Sequence, residues 1–232
     1  MCSVQYDIRS LMIPGVAFRG FSVSWNDVDL SYTKSDMMTR FTAGCHFKDE
    51  MNSLMQTWEG RPDVERIASV VELIRNQIEW DEVYKVMPDV ISKVIKSRSG
   101  SNVDINCQIA SCLRYAGYVV DPVLVKMRSS GVLIDFQPER NAFDTFILRV
   151  VGNDGKAYFI DGGSKCGYVN VLADEFLVSN VQVELLNSND TLLGDLQVDL
   201  LLLGLVGVLL LFLCLLCVVA VEGVDFLDVL QG

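Results

Sequence analysis

The chain has 232 residues, a formal net charge of −11, and half of its residues are apolar. That length holds one sizeable core and part of a second, and the apolar fraction argues against disorder over most of it. An acidic chain without a basic cluster repels phosphate backbones, which argues against nucleic acid as a partner. The seven cysteines, Cys2, Cys45, Cys107, Cys112, Cys166, Cys214 and Cys217, are scattered. Cys214 and Cys217 form a CxxC inside an unbroken apolar run, where a thiolate metal site would bury charge. Neither a metal site, a cofactor nor a disulfide framework is indicated, and the redox compartment stays open.

In chain order, Met1 to Ile13 lacks the basic and apolar regions of a signal peptide. Val16 to Trp25 and Val28 to Tyr32 alternate like strands around an Asn26-Asp27 turn, giving a partial β-domain and linker over 1–60. Within it, Phe47 to Trp58 reads as helix. Pro62 opens a helix, with Asp63 and Glu65 complementing its positive end. Val64, Ile67, Val70, Val71, Ile74 and Ile78 make its apolar stripe. Pro88 to Lys96 is a shorter helix broken by Gly100. Ile105, Ile109, Cys112, Leu113 and Ala116 define a third, closed by Gly117, with Cys107 and Cys112 as core thiols. Strands follow at Val119 to Met127, Phe143 to Val151 and Ala157 to Asp161, the last two joined by a Gly152–Gly155 hairpin, and Val181 to Leu185 adds an edge strand. Helices followed by a mostly antiparallel sheet make an α+β domain over 61–187.

After a linker, 188–199, Leu200 to Val221 runs 22 residues without a charge or proline, enough for a helix to cross a bilayer. A short acidic tail, 222–232, follows. Asp195 and Asp199 before the run, and Glu222, Asp225 and Asp228 after it, include no basic residue, so charge does not set an orientation. A run this monotonous also fits out-of-frame translation of downstream DNA, which would make the chain a truncated or frameshifted gene product.

Two strings carry a resemblance. Gly100-Ser101-Asn102-Val103-Asp104-Ile105 opens the helix that ends Leu113-Arg114-Tyr115-Ala116-Gly117. Downstream come Phe143-Asp144-Thr145-Phe146-Ile147, the hairpin Asp154-Gly155-Lys156, and Tyr158-Phe159-Ile160-Asp161. In order and spacing these resemble the G-x-C-x-D helix start, the "LLRxAG" close, the histidine strand, the DGK turn and the aspartate strand of the transglutaminase-like superfamily. The similarity covers Pro62 to Leu186, and is greatest to a bacterial subgroup in which a β-sandwich precedes the core. It implies a papain-like fold with a cysteine at a helix start, a histidine that takes its proton and an aspartate that orients the imidazole.

Mapped residue by residue, the cysteine position holds Asn102, the histidine position Thr145 (Asp144 if the register slips by one), and the aspartate position Asp161. An asparagine amide is neither nucleophilic nor ionisable near neutral pH, and threonine is no general base there. Because triad members act as a unit, losing two removes nearly all of their advantage. The resemblance therefore implies a pseudoenzyme whose cleft takes a peptide or protein ligand, and the apolar run Leu200–Val221 adds the expectation that it is held at a membrane, as an exported or cell-envelope domain. Each residue also has a structural reading: Asn102 as the helix N-cap, Asp104 as a first-turn dipole partner and Asp161 as a turn-former before Gly162-Gly163. The competing reading is an active cysteine-dependent transglutaminase or peptidase with rearranged residues. Its relocated nucleophile would be Cys166, since Cys107 lies over a helical turn from Asn102 and the sole histidine, His46, sits beside Cys45 in the linker.

Overall fold

The structure is a computed structural model that describes residues 10–15, 17–20, 24–131, 141–163, 168–176, 182–185 and 194–195. By contacts the chain divides into Met1–Asp195 and Leu196–Gly232. The second unit, with the apolar run and the acidic tail, lies outside the described residues, as do Cys2, Cys166, Cys214 and Cys217. Among the described residues no helix is long and apolar enough to cross a membrane.

The first unit opens with a two-stranded antiparallel ribbon, β1 (Ser10–Ile13) and β2 (Ala17–Gly20). The next segment corrects the strand reading of Val28 to Tyr32, because α1 spans Trp25–Thr33. Ser24 and Asp27 form a reciprocal capping box, with the Ser24 side chain accepting from Asp27 N and the Asp27 carboxylate accepting from Ser24 N at 3.1 Å. Two orphan donors of the first turn are thereby satisfied. The alternation of Trp25, Val28, Leu30 and Tyr32 is incidental: Val28 and Tyr32, four apart, are buried, while Leu30 is 41% exposed. Helix α2 (Asp36–Phe41) and helix α3 (Lys48–Met55) follow, the latter inside the expected stretch.

Helix α4 (Asp63–Gln77) begins after Pro62, which sits at the N-cap with extended backbone. Its stripe is as expected from Ile67 to Ile78, all buried, but Val64 faces solvent. Asp63 does more than face the helix dipole. Its carboxylate accepts from Tyr118 Oη at 2.8 Å, Asn153 Nδ2 at 3.0 Å and Asp154 N at 3.2 Å, tying α4 to the hairpin 91 residues away. Strand β3 (Glu79–Trp80) pairs in parallel with β4 (Ser99–Gly100), on either side of α5 (Ile91–Ser97). Helix α6 (Asn102–Tyr115) comes next and ends at Gly117, whose φ of 95° suits glycine.

The sheet is antiparallel throughout, in the order β7-β6-β5-β8-β9: β5 is Val119–Val125, β6 Thr145–Val151, β7 Ala157–Ile160, β8 Gln182–Leu185 and β9 Gly194–Asp195. Strand β8 lies between β5 and β9, so it is not the edge, and β9 falls in the stretch read as linker. Two short 3-10 turns, Arg128–Ser130 and Asp174–Phe176, complete the described elements. Helix α6 packs against β5 and β6 on one side and against α2, α3 and α4 on the others. A single apolar cluster runs from Val28 through Phe41, Met51, Ile74, Leu113 and Phe146 to Ile160. The helices before residue 60 thus share one core with α4, α6 and the sheet, and Phe41 meets Phe146 edge to face at 5.8 Å. Arg114 Nη2 donates to Phe41 O at 2.5 Å, and its guanidinium lies 4.6 Å from the centre of the Phe41 ring, fastening α2 to α6.

Candidate functional site

Helix α6 starts where it does because Ser101, not Asn102, is the N-cap. The Ser101 hydroxyl accepts from Asp104 N, and the Asp104 carboxylate accepts from Ser101 N at 2.9 Å and Ser101 Oγ at 2.6 Å. Asp104 also accepts from Asp89 N at 2.5 Å and pairs with Lys85 Nζ at 3.1 Å, so it anchors the 85–89 segment to the helix start. Freed from capping, the Asn102 side chain occupies the first helical position, at the positive end of the dipole, and reaches across to the sheet.

Asn102 meets both other mapped positions. Its Nδ2 donates to Thr145 Oγ1 at 2.6 Å and lies 3.5 Å from Asp161 Oδ1. Thr145 is the first residue of β6 and Asp161 directly follows β7, so adjacent strands present them side by side to the helix start. Asn102 and Thr145 are 0% exposed and Asp161 1%. Asp144 does not join them: its carboxylate accepts from Met127 N at 2.7 Å and holds the turn before β6. The register that places Thr145 opposite Asn102 is set by the pairing of β6 with β5, Val125 facing Thr145.

Several residues that carry no motif in the sequence complete the cluster. Asn106, one turn after Asn102 on the same helix face, donates to Phe146 O at 2.9 Å and to Asp161 Oδ1 at 3.4 Å, and accepts from Gly162 N at 2.7 Å. Its spacing of four from Asn102 is the one signal that could have found it. Arg75 on α4 donates to the main-chain oxygens of Asp161 at 2.9 Å and Gly162 at 3.2 Å. Nothing in the sequence marks this contact, which joins residues 86 apart. A Cβ on Gly163 would stand 2.6 Å from the Asn102 Cβ, so only glycine lets this turn approach the helix.

Two polar atoms in the cluster, Asn102 Oδ1 and Asp161 Oδ2, are buried without a hydrogen-bond partner among the described residues. Burial raises the Asp161 carboxyl above its ordinary range, against the opposing effect of donors from Gly163 N, Asn102 and Asn106 and of the Arg75 charge. Tyr84 stands close enough that its own hydroxyl is pushed up to about 12, by burial first and then by the charges of Asp161 and Glu175.

The cluster is roofed by the segment after β3. Val83 O accepts from Asn102 N at 3.2 Å, Asp81 N donates to Gly100 O at 3.0 Å, and the Trp80 ring packs against the Gly163 turn and, edge to face at 5.3 Å, against Tyr84. The main-chain N–H of Asn102 is therefore taken by a carbonyl of the same chain. Chemically the described residues of the cluster offer an amide, a hydroxyl and a carboxyl, and among the described residues neither a thiol nor an imidazole joins them. The described thiols lie elsewhere: burial pushes Cys107 up and keeps it a thiol, and Cys45 and Cys112 face each other at 3.4 Å. His46 is exposed, and Cys166 lies outside the described residues. Among the described residues no three His, Cys, Asp or Glu side chains gather as a metal site.

No protein-family model matches the chain, and no curated protein matches it. Among solved structures it resembles a candidate protease from Parabacteroides distasonis, with 11% sequence identity and a TM-score of 0.50 over 84% of this chain. The chain spans about a third of that protein's length, 36%. At this identity the likeness concerns the fold, a mixed helix-and-sheet architecture.

Proposed function

We propose that the chain is a non-catalytic transglutaminase-like domain, anchored at a membrane by Leu200–Val221, that binds an extended peptide or protein segment. The observation that carries this reading is the 2.6 Å contact between Asn102 Nδ2 and Thr145 Oγ1, with Asp161 beside it. Three residues widely spaced in sequence meet where a papain-like fold would join its nucleophile, base and orienting acid, and two of them cannot perform those roles. The fold likeness to a candidate protease is in keeping with such an ancestry. A peptide ligand would run along the Ser99–Gly100 edge and replace the Trp80–Val83 segment, whose carbonyl at Asn102 N occupies the place of a ligand carbonyl.

The test restores what is missing. The wild-type protein is expected to show no thiol-dependent transglutaminase or amidase turnover on casein or peptide amides. Asn102→Cys with Thr145→His should create a thiolate that iodoacetamide alkylates rapidly below pH 7, because the helix dipole and the imidazole both favour the anion. Either change alone should leave an ordinary thiol or none. If the double variant alkylates only at the pH of a free cysteine, the mapping of these positions onto a triad is wrong. If the wild type turns over substrate and Cys166→Ala abolishes it, the non-catalytic reading is wrong.

A further inference from the structure

The sequence presents its cysteines as isolated residues, yet two of them meet in the fold. Cys45 lies in the loop between α2 and α3, and Cys112 in the last full turn of α6, 67 residues away. Their sulfurs are 3.4 Å apart. That is van der Waals contact, and a disulfide needs a further approach of about 1.4 Å to reach its usual length of about 2.05 Å. The two sites differ in access. Cys112 is 0% exposed, and burial together with the neighbouring Cys45 sulfur holds its thiol well above the usual range. Cys45 is half-buried, sits in the loop between α2 and α3, and follows Gly44, around which there is open space.

We infer that Cys45 and Cys112 form a reversible disulfide, a redox-controlled staple between the α2–α3 connection and α6, with Cys45 as the thiol that meets the oxidant. The oxidant class is a small-molecule disulfide. The Cys45 thiolate attacks one sulfur of it, forming a mixed disulfide and expelling one thiolate. The Cys112 sulfur then attacks Cys45 Sγ, the second small thiolate leaves, and it takes the Cys112 proton. Two cysteine thiols are oxidised and one external disulfide is reduced to two thiols, so atoms and electrons balance. The buried partner cannot be reached first, and that fixes the order. The link would close a long loop and hold the helices before residue 60 on the domain, which restricts the unfolded chain more than the folded one. Cys107, buried on another face of α6 and without a sulfur partner among the described residues, takes no part.

The experiment uses the full chain, treated with oxidised glutathione, alkylated, digested without reductant and read by mass spectrometry. The expected result is a cross-linked peptide pair holding Cys45 and Cys112, two mass units lighter than the sum of its parts and released by dithiothreitol. The melting midpoint of the oxidised protein should lie several degrees above that of the reduced protein. Cys45→Ser, at a half-buried loop position, should lose both the link and the difference, while Cys107→Ser should keep both. Recovery of Cys45 as a stable glutathione adduct with Cys112 free, or of both as separately alkylated residues, would overturn the inference. So would a link joining either cysteine to a different partner.

Discussion

Asp161 combines nearly complete burial with an ionisable side chain. Among the described residues one of its oxygens is buried without a partner, and burial raises its proton affinity above that of the unfolded chain. A carboxyl raised in the folded state gives its full contribution below the unfolded value, about 3.9. Stability then declines as pH climbs from there through the raised value, because the folded state increasingly holds a penalised anion. Asp161→Asn keeps an acceptor for Asn102, Asn106 and Gly163 while removing the ionisation. It is expected to stabilise the protein by about 1 kcal/mol at pH 7 and to flatten the decline above pH 4. Urea midpoints at pH 4 and pH 7 check this, and a less stable variant at pH 7 would show that the anion is favoured in place. Asp63 behaves in the opposite sense. Burial raises it, but the donors from Tyr118, Asn153 and Asp154 together outweigh burial and lower it. Its contribution is therefore present above the ordinary carboxyl range and lost as pH falls through the lowered value.

At the scale of the element, the start of α6 decides the geometry of the cluster. Because Ser101 and Asp104 do the capping, Asn102 is released toward Thr145. Ser101→Ala removes the acceptor for Asp104 N and should cost about 1 kcal/mol, with some loosening of Lys85 and Asp89, which Asp104 also holds. A thermal melt checks the cost, and an unchanged midpoint would mean the cap contributes nothing. The helices that the sequence made legible were those whose period is dictated by one buried face, as in Ile67, Val70, Val71 and Ile74 of α4. The hairpin between β6 and β7 was legible from its turn residues. Helix α1 was not, because apolar residues at every second or third position mimic a strand, and the deciding signal was the Ser24–Asp27 pair. The two-residue parallel bridge of β3 and β4 leaves no periodicity at all. It exists only because the chain returns after α5, and with it the roof over Asn102 stayed hidden. Asn102, Thr145 and Asp161 were singled out in the sequence by a resemblance of order and spacing, and the fold brings the three together. Asn106 and Arg75 were not, because their partners are main-chain atoms made available by the fold.

For the molecule as a whole, the proposed anchor is a claim about partition. Leucine and valine residues near the centre of a span each contribute about 0.3 to 0.6 kcal/mol, and together they exceed any attraction of an acidic domain for a membrane surface. The full-length protein should pellet with membranes and resist carbonate extraction. Recovery in the soluble fraction after carbonate would remove the anchored half of the proposal and leave the Asn102 cluster as it is. Placing three lysines after Val221 should bias that end toward the cytoplasm, since neither flank of the run now carries a basic residue.

The burial of α6 sets a timetable for synthesis. Every residue from Asn102 to Leu113 is buried, and this stretch includes Asn102, Asp104, Asn106, Gln108 and Ser111. The helix therefore has no wet face along this length on which to rest while it waits. Two members of this polar row, Asn102 and Asn106, find their partners in Thr145, the Phe146 carbonyl, Asp161 and Gly162, 40 to 59 residues further on. At about 5 to 20 residues per second, a ribosome needs roughly 3 to 12 s to make the 59 residues between Asn102 and Asp161. For that interval Asn102 and Asn106 exist without the sheet partners they meet in the fold, and the docking of that part of the helix must wait for the emergence of β7.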